Sequence, residues 1–299
     1  MNRTLRLITA SMVLLGLLTG TAPASAAVGD QPPNPSDVAP LIVGGEDASQ
    51  RYPGMASLQL DHRGDPNWHT CGAWLRTPTR AVTNAHCVTK LPPDGSPMDP
   101  ALFHLRIGSA DRLTGGTVRR LTKIVIPQEW NWGAGPGPVA DVAVLWLDRP
   151  VTLPAFPIAH ADRDAPSRIL GWGATDPDGA DPLPTTLQEL DSHLLPDTSC
   201  AAAGITAGEV CVANPPGAGA CYGDSGGPAL QQRSGQSAVI GGASRETDPV
   251  CGAGPGPGSV YTDMKYWETW IRRASLAPTG PDIPRPTLPP TPTLYWSNT

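Results

Sequence analysis

An all-β fold closed by one C-terminal helix is what this sequence predicts, and three observations predict it. The 299 residues include 33 glycines and 36 prolines, with only 16% charged residues; turn formers and helix breakers at that density favour short strands joined by many loops. Short apolar runs recur at Met55 to Leu60, Ala81 to Thr83, Leu121 to Ile126, Val142 to Leu147, Arg168 to Leu170 and Ala238 to Ile240. Breaker clusters such as Pro92-Pro93-Asp94-Gly95-Ser96-Pro97 and Gly133-Ala134-Gly135-Pro136-Gly137-Pro138 separate them, as expected of strands and their turns. Only Met264 to Ala274 keeps helical spacing, with Tyr266, Trp267, Trp270 and Ile271 on one face and Arg272-Arg273 in the last turn, where cations suit the helix dipole.

The two ends read differently from the middle. Residues 1–26 form a signal peptide: Arg3 and Arg6 precede an apolar run, Leu7 to Leu18, and Ala22-Pro23-Ala24-Ser25-Ala26 supplies small residues for cleavage. That run is short of the roughly 20 residues a bilayer span needs, so the chain is expected to be secreted and extracellular, with no membrane span. Residues 27–41 carry Pro32, Pro33, Pro35 and Pro40 and no periodic pattern, and read as a pro-segment. The folded domain is expected over 42–276, and the proline-rich stretch 277–299 reads as an extended, disordered tail. A net charge of −6 offers no basic field for a nucleic acid. The six cysteines, Cys71, Cys87, Cys200, Cys211, Cys221 and Cys251, suit three disulfides in an oxidising compartment. Spacing alone leaves several pairings open, and none of the spacings supplies a close zinc-type pair.

A peptide bond yields at neutral pH when a weak hydroxyl is activated by an oriented base and the oxyanion meets fixed donors. Gly223-Asp224-Ser225-Gly226-Gly227-Pro228 suits the hydroxyl and the donors, because glycines permit a tight turn that exposes Ser225 and aims N–H groups at one point. Alone, such a sequence is an ordinary loop. His86, in Thr83-Asn84-Ala85-His86-Cys87, is the candidate base, and Asp141, at the mouth of Val142 to Leu147, is the candidate orienting acid. A carboxylate entering a buried strand is costly unless hydrogen-bonded; an imidazole partner gives it a reason to be there.

Together these segments resemble the chymotrypsin/trypsin family, whose members order the three groups as His, Asp, Ser. The resemblance runs from Ile42-Val43-Gly44-Gly45 through Ala85-His86-Cys87, Asp141-Val142-Ala143-Val144-Leu145, Gly171-Trp172-Gly173 and the Ser225 motif to Val260-Tyr261-Thr262 and the closing helix, about four-fifths of the chain. It implies two packed antiparallel six-stranded β-barrels with the active site between them. It implies Ser225 as nucleophile, His86 as general base and acid, Asp141 as the group orienting the ring, and an oxyanion hole from the N–H groups of Gly223 and Ser225. It also implies bridges from Cys71 to Cys87, Cys200 to Cys211 and Cys221 to Cys251, and activation by a cut before Ile42 that frees an α-amine to pair with Asp224. Protein or peptide substrates and protease inhibitors are the implied partners of a monomer; the remaining alternative is a catalytically silent binding protein of the same fold.

Departures from the family pattern bear on specificity. Leu41 stands where a trypsin-like activator would need Arg or Lys, which points to self-activation. The specificity pocket is expected from Gly219, Ala220, Ser244, Glu246 and Ser259; with Gly219 where trypsin-like enzymes place an acid, apolar residues are expected to be preferred over basic ones. Glu246 replaces a glycine and would either narrow the pocket mouth or lend a negative charge to basic substrates, and a shift by two residues would start that wall at Gly242. Asp111 to Leu121 has too few acids for a calcium loop, and no His-Glu-x-x-His pattern occurs, so no metal and no cofactor is expected. His62, His69, His104, His160 and His193 are read as surface residues.

Overall fold

The computed structural model describes residues 42–248, 250–252 and 258–276. The expected signal peptide (1–26), pro-segment (27–41) and tail (277–299) lie outside the described residues.

Strands β1 (Glu46–Asp47), β2 (Met55–His62), β3 (Asp65–Thr77), β4 (Arg80–Thr83), β5 (Phe103–Ile107), β6 (Thr117–Val125) and β7 (Ala143–Leu147) occupy the first half. The last six close into an antiparallel barrel in the order β2-β3-β4-β7-β6-β5. Alternation decides which side chains fill it: in β5, Phe103, Leu105 and Ile107 are buried while His104 and Arg106 are half-exposed. β7 is apolar on both faces because both are covered. Ala143, Leu145 and Leu147 join the barrel interior, while Val144 faces outward into a second cluster with Trp74, Trp172 and Trp267.

The second half holds β8 (Ser167–Gly171), β9 (Gln188–Ser192), β10 (Leu194–Leu195), β11 (Glu209–Ala213), β12 (Pro228–Arg233), β13 (Gln236–Glu246) and β14 (Gly258–Asp263). Here the architecture is fuller than six strands: one curled sheet of eight runs β1-β9-β8-β12-β13-β14-β11-β10. The two extra strands, β1 and β10, are two residues long and sit at its two edges. β1 is there because the chain after Ile42 lies along β9, pairing Glu46 with Glu189, which covers an edge that would otherwise be open to another chain.

Helix α1 (Met264–Leu276) follows directly and packs Trp267, Trp270, Ile271 and Ala274 into the cluster shared by both halves. Asp263 accepts from the N–H groups of Lys265 and Tyr266 and so caps its first turn. At the other end Arg80 donates to the Ser275 carbonyl and Trp146 to the Ala274 carbonyl, satisfying groups that a helix end leaves free. Both donors belong to the first barrel. No helix among the described residues is long and apolar enough to cross a membrane.

Candidate active site

The candidate site lies where the barrels touch, and glycines allow the touch. Gly72 N donates to the Ser225 carbonyl at 2.8 Å. A Cβ on Gly72 would lie 2.6 Å from Gly227 Cα, and one on Gly226, at φ +75°, would lie 2.1 Å from Thr83 Oγ1. The Ser225 loop is therefore pressed against β3 and the end of β4 in a conformation that other residues resist.

β4 delivers the base. After Thr83 the chain turns through a short 3-10 segment, Ala85–Cys87, and the Cys71–Cys87 disulfide anchors that turn to β3. Asp141 precedes β7, which pairs with β4, so His86 and Asp141 arrive side by side. His86 Nδ1 lies 2.8 Å from Asp141 Oδ2, and the His86 backbone N–H donates to Oδ1 at 3.0 Å. Two further side chains donate to Oδ2: Ser244 Oγ from β13 at 2.6 Å, and Asn84 Nδ2 at 3.0 Å. Thr262 Oγ1 on β14 donates to the Asp141 carbonyl. Both barrels thus hold one carboxylate that is 2% exposed.

The electrostatics follow from these donors. Burial would raise the Asp141 carboxyl, but the His86 charge and the hydrogen bonds from His86 and Ser244 outweigh it and hold it at about 2. Burial disfavours the His86 imidazolium, yet the Asp141 charge and hydrogen bond outweigh that in turn, and the ring is raised above its usual value. Asp141 fixes a proton on Nδ1 and leaves Nε2 as the acceptor. Nε2 lies 3.6 Å from Cys87 Sγ, and Ser225 Oγ makes no hydrogen bond to His86 among the described residues. The acid and base are joined; the hydroxyl is brought to the same interface without being bonded to the ring.

Gly223 and Ser225 place their N–H groups in the same loop. Gly223 takes φ +100°, and neither N–H donates to another group among the described residues. Asp224 points the other way: its carboxylate accepts from Gly173 N and Cys221 N at 2.8 and 2.9 Å. Burial, partly countered by these donors, pushes it up to about 7. Ile42 is fully buried in the core of the second sheet, and the Val43 carbonyl accepts from Gly219 N.

His69 corrects the surface reading of the scattered histidines. It is 2% exposed, with Nδ1 2.8 Å from Ser57 Oγ and Nε2 3.0 Å from the Gly223 carbonyl, and burial lowers it to about 4. A carbonyl only accepts, so the neutral ring carries its proton on Nε2 and accepts from Ser57 at Nδ1. The ring therefore braces the Ser225 loop. Sequence reasoning missed this residue and Asn84; the only available signal was their place, two residues before Cys71 and two before His86.

Beside Ser225 opens a cavity of about 290 Å³ lined by Ala220, Ser244, Arg245 and Glu246, with Asp248 and the Cys221–Cys251 disulfide. Of the five expected pocket residues, Gly219 and Ser259 are not on its lining; both are buried, Ser259 behind the Glu246 carboxyl. Gly242 does not line it either, and packs on Asn84 and Met264. The third bridge joins Cys200 to Cys211. Cys71, His86 and Cys87 come within 4.8 Å of one another, but both sulfurs are consumed by their disulfide, which leaves no thiolate for a metal.

A family model described as Trypsin matches residues 42–271, nearly all of the described chain. The chain belongs to the trypsin family. Among curated relatives, the fibrinolytic enzyme, isozyme C, of Lumbricus rubellus is 32% identical over 77% of this chain and 98% of its own length. Human testisin is 30% identical over 83% of this chain and 82% of its own. Chymotrypsin-like elastase family member 1 of Macaca fascicularis is 28% identical over 78% and 88% respectively. The chain is accordingly a serine endopeptidase of the chymotrypsin-like type, and the closed barrel and curled sheet described above are that family's fold.

Proposed function

We propose that this chain is a secreted protease precursor which, once cut before Ile42, hydrolyses peptide bonds through Ser225, His86 and Asp141. The observation that carries the reading is the Asp141 carboxylate, gripped by donors from both barrels and set 2.8 Å from His86 Nδ1. Ser225 Oγ attacks the carbonyl carbon while His86 Nε2 takes its proton; the oxyanion meets the N–H groups of Gly223 and Ser225. The C–N bond then breaks, the amine leaves with the proton from His86, and water repeats the sequence on the Ser225 ester.

Activation follows from Asp224. Its two recorded donors are neutral N–H groups, and a buried carboxylate gains most from a cation. The α-amine freed at Ile42 is that cation, and its arrival fixes the oxyanion loop and lets the His86–Ser225 link close. Because Leu41 precedes the cut and no acid stands at Gly219 or Ala220, the enzyme itself is the activator, preferring apolar to basic residues.

The experiment is labelling with a fluorophosphonate probe before and after cleavage at Ile42. Labelling should follow cleavage, vanish in His86→Ala, and occur spontaneously in the wild type but not in secreted Ser225→Ala protein, which should retain its pro-segment. A correctly cut protein that takes no label is instead a silent binding protein.

A further inference from the structure

The cavity beside Ser225 stops at a carboxyl group that has no cation. Glu246 ends β13 and pairs across the sheet with Ser259. Its Oε2 lies 2.6 Å from Ser259 Oγ and 3.1 Å from Asn214 Nδ2, while the same Ser259 Oγ lies 2.8 Å from Asn214 Oδ1. These contacts form a closed ring, and the protons must be shared out. A serine hydroxyl has a single proton. If Ser259 donates to Asn214 Oδ1, its contact with Glu246 needs a proton on the carboxyl; if Glu246 is ionised, Ser259 must turn its proton to Glu246 and Asn214 Oδ1 loses a donor.

The surroundings favour the protonated form in the empty cavity. Arg245 is next in sequence, but its guanidinium is spent on both Glu209 oxygens and on the carbonyls of Ala203 and Gly204. The other charged or titratable groups facing this corner are Asp248 and Tyr222 on the cavity lining, Asp224 beneath the Ser225 loop and Tyr261 on β14. None is a cation. Burial, with Asp248 adding to it and the Ser259 and Asn214 contacts opposing it, pushes Glu246 up to about 7.

Gly219, where a trypsin-like acid would stand, is walled off: a Cβ there would lie 2.8 Å from Asn214 Cγ. A substrate side chain entering beside Ser225 therefore meets Glu246 first. We propose that Glu246 is the specificity-determining floor of this cavity, admitting lysine when it is a carboxylate and uncharged side chains when it is a carboxylic acid. The cleavage preference thus shifts from apolar residues towards lysine as pH rises. This deepens the protease reading and rests on it. An entering ammonium ion would supply the countercharge that the fold withholds, and leucine would gain nothing from ionising the floor.

The test uses protein beginning at Ile42 and two peptide amides that differ only in lysine or leucine before the scissile bond. The ratio of their kcat/KM values cancels the ionisation of His86, which both substrates share. In the wild type the lysine-to-leucine ratio should rise at least about tenfold between pH 6 and pH 8, because the ionised fraction of a group titrating near 7 rises by that factor while the protonated fraction falls. In Glu246→Gln, an isosteric change, the ratio should be low and flat. A flat ratio in the wild type overturns the proposal without recourse to the variant, as does an equal rise in Glu246→Gln. Fluorophosphonate labelling of the same samples separates the failures: absence of label sinks the protease reading, whereas labelled protein with a pH-independent ratio sinks the assignment of Glu246 alone.

Discussion

In the first barrel, the buried acid Asp141 sits against a base and accepts from four donors on both sides of the interface. In the second half, Asp224 is buried as deeply and Glu246 is half-buried, but both meet only neutral donors and both are pushed up to about 7. The first barrel is finished when it folds: its acid is already countered, its turn is stapled by Cys71–Cys87, and its strands close on themselves. The second leaves two carboxyl groups without a cation, which the proposed activation and the proposed specificity assign to the new terminus at Ile42 and to a substrate side chain. Stability and control are thus divided between the halves.

The sharpest way to break that comparison is to disable the finished half. Asp141→Asn keeps the shape but presents a donor to Nδ1, trapping the ring in the wrong tautomer; kcat/KM on a peptide amide should fall on the order of 10⁴-fold. A loss below tenfold would mean that Asp141 does not orient the base.

A smaller effect probes the waiting half. For Asp224 and Glu246 the folded value exceeds the unfolded one, so the stability they confer is whole below about pH 4 and is lost as pH rises through 7. His86, also raised, acts in the same direction; Asp141, depressed to about 2, matters only in stronger acid. Uncut Ser225→Ala protein should therefore lose a few kcal/mol between pH 4.5 and pH 7.5 by urea denaturation. The same protein cut before Ile42 by an added protease should lose distinctly less, because the new ammonium pairs with Asp224. Equal losses in the two forms would end the activation argument.

The smallest effect concerns Asn84. Removing its donor in Asn84→Ala concentrates charge on Asp141 Oδ2 and better stabilises the imidazolium. The acid limb of the kcat/KM profile should move up by about half a pH unit, in keeping with a net hydrogen bond of ~1 kcal/mol. A packing defect alone would lower the rate without moving the limb.

The legible parts of the sequence were those with local patterns. Each of the six apolar runs meets a strand, with Ile126 and Val142 lying one residue outside β6 and β7, and the helical stretch from Met264 is α1. β3, the longest strand at 13 residues, escaped notice because Asp65, Pro66 and Asn67 open it and Gly72 interrupts its apolar side chains. The three candidate catalytic side chains lay in recognisable segments; what surrounds them did not. His69 and Ser57, Asn84 and Asp141, and Glu246 with Asn214 and Ser259 are polar contacts between segments separated in sequence, set by the pairing of strands within each half. A one-dimensional pattern carries apolar periodicity well and carries almost nothing about which buried polar groups will share a proton.

Helix α1 belongs to the second half by sequence yet packs its apolar face into the cluster shared by both halves, with Arg80 and Trp146 of the first fastening its last turn. The thirteen residues of α1 are consequently a clasp. A chain stopping at Asp263 would carry Ser225, His86 and Asp141 but lack the fastening that joins the two halves.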